Sequence, residues 1–192
     1  MDIRIKDLTK SFDGKLVLDN LNRDIKENEF TCIMGESGIG KTTLINIIMG
    51  LMDTDNGEIT GIDNKRISVV FQEDRLCEDF DAILNIRLVC DKKVSNDEII
   101  QVLQELGLGD SLDKKVLLFS GGMKRRLAIA RAIIAESEIV IMDEPFKGLD
   151  MELYKKTILY VKKKLKGKTV IIVTHREEEC TLLEGHVIYI KK

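Results

Sequence analysis

The sequence predicts a three-layer α/β domain in which a parallel β-sheet lies between two outer layers. Two short runs, IVIM at 139–142 and TVIIV at 169–173, are almost wholly apolar, which is typical of strands buried on both faces of a parallel sheet. Helical segments separate such runs, and a glycine-rich loop joins an earlier apolar run to a helix. This alternation favours a sheet whose ligands bind at the carboxyl ends of the strands.

The first 25 residues predict short strands joined by a hairpin. Ile3 and Ile5 alternate with basic residues, as in a strand with one buried face. The Asp13-Gly14 pair then marks a hairpin turn. Phe12 lies next to this turn, where a phenylalanine taken alone is more typical of a core than of a ligand contact.

The segment around residues 30–51 organises the rest of the chain. An apolar run at 30–34 predicts a strand, GESGIGKT follows at 35–42, and a second apolar run at 44–49 predicts a helix. This is the G-x-x-x-x-G-K-[ST] pattern between a strand and a helix, in which backbone N–H groups cradle phosphates. Lys41 would reach the β- and γ-phosphates, and the Thr42 hydroxyl would bind Mg²⁺. The alternative, a glycine-rich turn with an incidental lysine, is disfavoured by this setting.

After the predicted loop helix, the sequence changes from a strand pattern to a helical pattern at Gln72. A short strand is predicted at 58–60, and a second candidate at 69–71 ends at Gln72, whose amide lies at a strand end within reach of Mg²⁺ or of an attacking water. From 73 to 118 the pattern becomes helical. Ser95 to Glu98 form a capping box, so this region is interpreted as a small helical lobe inserted between strands.

A second anion site is predicted at Ser120-Gly121-Gly122, where Ser120 is the expected N-cap of a helix. One nucleotide needs only one phosphate cradle, so this turn is expected to serve the nucleotide of a second subunit. Four basic residues of the same helix lie off its apolar stripe and are interpreted as a solvent-exposed face: Lys124, Arg125, Arg126 and Arg131.

Two carboxylates follow the apolar run at 139–142. Asp143 would hold Mg²⁺, and Glu144 would lie near the attacking water as general base or polarising group. A role in packing is the alternative, but ionised groups beside a core are costly unless they bind cations. His175 ends the neighbouring strand and could hydrogen-bond the γ-phosphate or orient Glu144. Asp150 is the predicted N-cap of the next helix.

Composition limits the partners and the compartment. The 192-residue chain has a formal net charge of −3, which gives no support for a nucleic-acid partner. No apolar run is long enough to span a bilayer and no signal peptide is recognisable, so we expect the chain in the cytosol. The four cysteines lack C-x-x-C spacing and are interpreted as buried or incidental thiols.

Six features stand in one order along the chain: Phe12, GESGIGKT at 35–42, Gln72, FSGGM at 119–123, IVIMDE at 139–144 followed by Gly148-Leu149-Asp150, and His175. In this order the sequence resembles the ATPase subunit of an ATP-binding-cassette (ABC) transporter over essentially its whole length. The SGG run ahead of the Asp-Glu strand is the discriminating feature, since other P-loop ATPases lack it.

The resemblance implies a P-loop NTPase fold, with a three-layer core around a parallel sheet, a small antiparallel β lobe and an inserted helical lobe. Residues 1–192 would form a single ABC ATPase domain. Its nucleotide-binding core and antiparallel lobe would comprise 1–72 and 119–192, and its helical lobe 73–118. The short segment between Thr42 and Gln72 suggests that the antiparallel lobe is trimmed.

The resemblance also implies function. Two subunits, expected to be identical, would pair head to tail around two ATP molecules, with Mg²⁺, and drive an integral-membrane permease from the inner face of the cell membrane. The residues assigned to ATP are Phe12, Gly35, Glu36, Ser37, Gly38, Ile39, Gly40, Lys41, Thr42 and Thr43. Those assigned to the metal are Thr42, Gln72 and Asp143, and those assigned to catalysis are Glu144, His175 and Gln72. Ser120, Gly121 and Gly122 would contact the partner's ATP, and Asp150 would communicate across the dimer.

Some features depart from the family pattern. The signature reads FSGGM where LSGGQ is usual, and Met123 cannot make the hydrogen bonds of an amide. FQEDRL at 71–76 and the run at 120–132 are similar to importer subunits for nitrate, sulfonate or taurine-like substrates, although exporter subunits share much of this sequence. Two alternatives stay open: a soluble ABC ATPase that acts on ribosomes or DNA, and a regulatory subunit that binds ATP with little turnover.

Overall fold

A parallel five-stranded sheet forms the centre of the molecule in the computed structural model, which describes residues 1–191. The strand order is β5-β6-β7-β3-β8, and a separate three-stranded antiparallel sheet has the order β2-β1-β4. The strands are β1 Ile3–Phe12, β2 Lys15–Ile25, β3 Phe30–Met34, β4 Asn56–Thr60, β5 Ile67–Val70, β6 Ile139–Asp143, β7 Thr169–Val173 and β8 His186–Tyr189. The predicted combination of a parallel sheet and a small antiparallel lobe is confirmed.

Six α-helices surround the parallel sheet in the described residues. They are α1 Lys41–Ile48, α2 Ala82–Arg87, α3 Asn96–Glu105, α4 Gly121–Ile134, α5 Met151–Lys164 and α6 Glu177–Leu183. Between residues 1 and 191 there is no helix that is both long enough and apolar enough to cross a membrane.

Alternation along the central strands produces the three layers. In β6, Ile139 and Ile141 face a core that contains α1 and the antiparallel sheet, whereas Val140 and Met142 face a core built on the other helices. Strand β7 alternates in the same way. Both faces of these strands are therefore buried, which is why their sequences show no polar face.

The N-terminal hairpin has longer strands than the sequence indicated. Strands β1 and β2 have 10 and 11 residues and pair antiparallel. The turn between them has φ of 50° at Asp13 and 76° at Gly14. Positive φ at both central residues is the geometry that favours an Asp-Gly pair, because its twist matches that of the two strands.

The region 73–118 contains α2, α3 and two short 3₁₀ turns at 109–111 and 116–118. The capping box of α3 is formed as predicted: the Glu98 N–H donates to the Ser95 hydroxyl at 3.2 Å, and the Ser95 N–H donates to the Glu98 carboxylate at 2.8 Å. Ile86, Ile99 and Leu103 of these helices share one core with α4 and the central sheet. This core fixes the helices of the segment against α4.

The prediction of a solvent-exposed basic face on α4 is wrong, because Lys124 and Arg131 are half-buried and Arg125 and Arg126 are buried. Arg125 is 5% exposed and Arg126 is 6% exposed. The helix lies between the central sheet and the helices of 73–118, so two sides of it are covered, and guanidinium groups compensate their burial by donating to backbone carbonyls. Arg126 donates to the carbonyls of Leu106 at 2.8 Å and Gly107 at 3.0 Å.

Candidate active site

The carboxyl ends of β3, β6 and β7 meet at a cleft of about 290 Å³. Adjacent parallel strands end at the same edge of a sheet, so residues far apart in the sequence converge there. Of the predicted site residues, the cleft is lined by Phe12, Ser37, Gly38, Gly40, Lys41, Thr42, Thr43, Gln72, Asp143, Glu144 and His175. Gly35, Glu36 and Ile39 line an adjoining cavity that also contacts His175.

The loop between β3 and α1 supplies the phosphate-cradle geometry. Gly40 is the N-cap of α1 with φ of 109°, and a Cβ there would lie 2.9 Å from side-chain atoms of Val17 and Leu18. Only glycine fits this position without displacing the hairpin. The N-terminus of α1 therefore opens into the cleft, where its free N–H groups and dipole favour an anion.

Lys41 is 6% exposed, and its ammonium donates to the carbonyl oxygens of Gly35 at 2.8 Å and Glu36 at 2.7 Å. Burial lowers the pKa of Lys41, and the nearby carboxylates of Glu144 and Asp143 oppose that shift. The ammonium is thus held in the cleft by carbonyl groups of the loop itself.

Thr42 and Asp143 bring a hydroxyl oxygen and a carboxylate oxygen together in the cleft. The Thr42 hydroxyl donates to the Asp143 carboxylate at 3.1 Å. Burial raises the pKa of Asp143, and the hydrogen bond from Thr42 acts in the opposite sense. A cation at these oxygens would remove the cost of holding a buried carboxylate ionised.

The residues fit Mg²⁺, which prefers hard oxygen ligands and shares its coordination with substrate phosphates. Among residues 1–191 there is no group of three His, Cys, Asp or Glu side chains arranged to hold a metal. Gln72 lines the same cleft.

Glu144 contacts His175 as the sequence suggested. The Glu144 carboxylate lies 2.8 Å from His175 Nε2 and 2.9 Å from the Lys147 ammonium. Burial acts to raise the pKa of Glu144, but the hydrogen bonds and charges of Lys147 and His175 outweigh it, so its pKa lies below the ordinary value. Glu144 is therefore ionised at neutral pH and can accept a proton or a hydrogen bond from water.

The Ser120-Gly121-Gly122 turn lies outside this cleft and is accessible. Ser120 is exposed and caps α4, accepting a hydrogen bond from the Met123 N–H at 3.3 Å. A Cβ on Gly122 would lie 3.3 Å from the Gly148 carbonyl, so the turn lies against the loop that leads to Asp150. Asp150 is the N-cap of α5, and the Leu153 N–H donates to it at 2.9 Å.

A known protein family matches more than half of this chain. The model of the ABC transporter family matches residues 18–147. The chain belongs to this family. The predicted resemblance and the predicted fold are thereby confirmed.

Two relatives illustrate the similarity of the cassette. The chain is 34% identical over 203 residues to a spermidine/putrescine import ATP-binding protein of Spiroplasma citri, covering 97% of this chain and 58% of that protein. It is also 34% identical over 191 residues to an aliphatic sulfonates import ATP-binding protein of Delftia acidovorans, covering 98% of this chain and 79% of that protein. The chain thus spans little more than half the length of the spermidine/putrescine relatives.

Two solved structures share the fold of this cassette. A dimeric structure of the bacterial ABC transporter cassette MJ0796 has a TM-score of 0.84 at 30% identity, covering 98% of this chain and 94% of that one. The same cassette in a dimeric, post-hydrolysis state bound to ADP and phosphate has a TM-score of 0.85 at 31% identity, with the same coverage of both chains.

Sequence reasoning missed three residues around the cleft. Arg125 and Lys147 contact Glu144 directly, and Glu179 binds the residue before His175. Arg125 and Glu179 carry charges in positions that a sequence pattern assigns to solvent. Their burial depends on which elements pack over them, and no local signal in the sequence reports this.

Proposed function

We propose that this chain is the ATP-hydrolysing subunit of an ABC transporter, converting ATP and water to ADP and phosphate in the presence of Mg²⁺. The observation that carries the proposal is the convergence of three groups in one cleft: the Lys41 cradle, the Thr42–Asp143 oxygen pair and the Glu144–His175 pair. Together they provide phosphate binding, metal binding and activation of water.

Nucleotide binding uses this chain's own loop. The Phe12 side chain, 42% exposed at the rim of the cleft, offers a flat face on which adenine stacks. The N–H groups at the start of α1 and the Lys41 ammonium bind the phosphates. Thr42, Asp143 and Gln72 would hold Mg²⁺, which when bound supplies neutralisation of the phosphate charge.

Hydrolysis depends on the Glu144 carboxylate. Glu144 accepts a proton as the water oxygen bonds to the γ-phosphorus, and the bond from that phosphorus to the bridging oxygen breaks with its electron pair going to ADP. His175, hydrogen-bonded to Glu144, orients this carboxylate. The dominant contribution is positioning and charge stabilisation rather than covalent chemistry.

The assembly that we propose is a head-to-tail dimer on the inner face of the cell membrane. Ser120, Gly121 and Gly122 of one chain would contact the triphosphate bound by the other, and Asp150, beside that turn, would respond to the same nucleotide. The accessibility of Ser120 supports this arrangement. An integral-membrane permease would be the partner that uses dimer closure, and the import proteins of Spiroplasma citri and Delftia acidovorans supply the precedent.

The direct test is phosphate release by Glu144→Gln. We expect turnover to fall at least about 100-fold, the size typical of losing a general base, while ATP affinity stays within about twofold. The matched control is Glu136→Gln, an exposed carboxylate paired with Arg66 away from the cleft, which should keep full turnover. Retained turnover in Glu144→Gln would remove Glu144 from the role of base.

A second test addresses the phosphate cradle. Lys41→Ala removes charge-assisted hydrogen bonds to phosphate, so we expect ATP binding, measured by titration calorimetry, to weaken about 10-fold or more. Lys162→Ala, which removes a surface partner of Glu184, is the control and should bind ATP normally. Unaltered affinity in Lys41→Ala would contradict the cradle assignment.

The partner distinguishes transport from the alternative of a soluble ABC ATPase. We expect the chain, isolated gently from its host, to co-purify with a multi-span membrane protein and not with RNA or DNA. Recovery with ribosomes or DNA would favour the soluble class. Stoichiometric ATP binding without phosphate release at high protein concentration would favour a regulatory subunit.

A further inference from the structure

Arg125 is a buried cation at the meeting point of three segments. Its Nη1 donates to the Phe71 carbonyl at 2.6 Å and to the Asp74 carboxylate at 3.0 Å. Its Nη2 donates to the carbonyls of Asp143 at 3.0 Å and Glu144 at 2.9 Å. One guanidinium therefore joins α4, the segment after β5 and the carboxyl end of β6.

The groups that accept hydrogen bonds from Arg125 belong to, or lie close in sequence to, two residues of the candidate active site, Gln72 and Glu144. Gln72 stands between Phe71, whose backbone carbonyl accepts from Arg125, and Asp74, whose side-chain carboxylate does, so Arg125 holds this segment on both sides of Gln72. The main chain of Glu144 is also held, by one hydrogen bond at its N–H and one at its carbonyl. Its N–H donates to the Val173 carbonyl at 2.9 Å, and its own carbonyl accepts from Arg125.

Glu144 needs such restraint because its backbone is unfavourable. Its φ is 46°, in the left-handed region that residues with a side chain seldom adopt. Strained backbone of this kind persists only where the surroundings fix it. The guanidinium fixes the carbonyl of Glu144 and the Val173 carbonyl fixes its N–H, so the main chain that carries the carboxylate is held on both sides.

Only arginine can make this set of contacts. The guanidinium has five N–H donors in a rigid plane, whereas a lysine ammonium is a compact point with three. Burying a cation at 5% exposure is costly unless its donors are satisfied. Three carbonyls and one carboxylate satisfy the guanidinium here, so the contacts explain the burial.

We propose that Arg125 is a positioning residue that holds the Gln72 segment and Glu144 in one fixed relation to α4. This helix begins next to the Ser120–Gly122 turn, so Arg125 links the element that carries the turn to the main chain of Glu144 in the same chain's cleft. The kinetic consequence of this inference rests on the proposed ATPase function. Its structural consequence rests only on the contacts of Arg125.

The kinetic test compares Arg125→Gln, Arg125→Lys and Arg131→Gln. Arg131 lies on the same helix and donates to the Arg75 carbonyl at 2.9 Å, with no contact to the site, so it is the matched control. We expect Arg125→Gln to lower kcat about 10- to 100-fold with KM within about twofold, because a small misplacement of a catalytic group has effects of this size. Arg125→Lys keeps the positive charge but loses the planar guanidinium with its five donors. Its kcat should therefore lie between those of Arg125→Gln and the parent.

A structural test needs no turnover. Amide hydrogen exchange without nucleotide should be faster in both 71–74 and 143–147 of Arg125→Lys or Arg125→Gln. In Arg131→Gln, whose lost hydrogen bond is to the Arg75 carbonyl, exchange should be unchanged at 143–147. If the parent chain hydrolyses no ATP, the proposed function fails while this measurement still decides the inference. Parent-like exchange in both segments, or faster exchange in one of them only, would overturn it. In an active parent, an unchanged kcat in both Arg125 variants would do the same.

Discussion

Glu179 is a buried residue that contacts the segment carrying His175. Its side chain is 3% exposed and accepts hydrogen bonds from the Tyr154 hydroxyl at 2.9 Å and the Thr174 hydroxyl at 2.5 Å. Thr174 directly precedes His175, so the carboxylate ties the histidine loop to α5. Burial raises the pKa of Glu179, against the opposing effect of these two hydrogen bonds.

This raised pKa predicts a specific dependence of stability on pH. Because the pKa of Glu179 in the folded chain lies above the unfolded value of 4.5, the folded state binds more protons between those two values. The contribution of Glu179 to the free energy of unfolding is therefore fully present below pH 4.5 and is lost as pH rises through the folded pKa. Glu179→Gln removes this dependence.

We expect the stability of the parent relative to Glu179→Gln to be greatest in acid and to decline toward neutral pH. Urea unfolding at a series of values from about pH 4 to about pH 8 measures this difference. Glu178→Gln, an exposed neighbour paired with Lys155 at 3.3 Å, is the control and should show no such decline. A difference that is constant with pH would contradict a raised pKa at Glu179.

Helix α3 is an element whose ends are determined locally. Its N-terminus has the reciprocal Ser95–Glu98 hydrogen bonds, and Gly107 follows its C-terminus with φ of 68°. Only one face of the helix is buried, through Ile99, Val102 and Leu103. Capping and amphipathic spacing are both visible in sequence, which is why this helix was predictable.

The capping box predicts a measurable contribution to stability. Ser95→Ala removes the hydroxyl acceptor for the Glu98 N–H, so we expect the free energy of unfolding to fall by about 1 kcal/mol. Urea denaturation measures this, and ATP affinity should not change because α3 does not line the cleft. Ser95→Thr keeps the acceptor and is the control. Equal losses in both variants would show that the cap does not stabilise the helix.

The whole molecule presents its two predicted nucleotide contacts on different parts of one chain. The Lys41 loop opens into the cleft, while Ser120 is exposed at the start of α4 and outside it. A Cβ added at Gly121 meets no atom within 4 Å, so a larger side chain there fits the single chain. Gly121 can therefore be used to block a partner without disturbing the fold.

At the scale of the whole molecule, the prediction concerns ATP-dependent formation of a dimer. In the Glu144→Gln background, MgATP should shift the mass measured by sedimentation from monomer to dimer, because bound ATP is not consumed. Adding Gly121→Arg should prevent this shift while leaving the thermal unfolding midpoint and the ATP affinity near those of Glu144→Gln. Dimers that form equally well with Gly121→Arg would exclude the Ser120–Gly122 turn from the interface.

Local features made most of this protein predictable. The glycine loop, the apolar strands that end in Asp143-Glu144 and His175, and the caps at Ser95, Ser120 and Asp150 each depend on neighbours close in sequence. The same reasoning failed at Arg125 and Arg126. A charged residue off an apolar stripe is usually solvated, and only the packing of α4 between other elements makes these two buried.

The sequence by itself determined most of the helices and strands, the order of the chemical groups along the chain and the family to which they belong. Only the tertiary structure decided which groups meet: the 2.8 Å contact of Glu144 with His175, the 3.1 Å contact of Thr42 with Asp143, and the guanidinium that joins α4 to the cleft. Periodicity and caps are encoded in residues a few positions apart, whereas these contacts join strands and helices that are distant in sequence. Their geometry is fixed by the pairing order of a parallel sheet and by the packing of helices on its two faces.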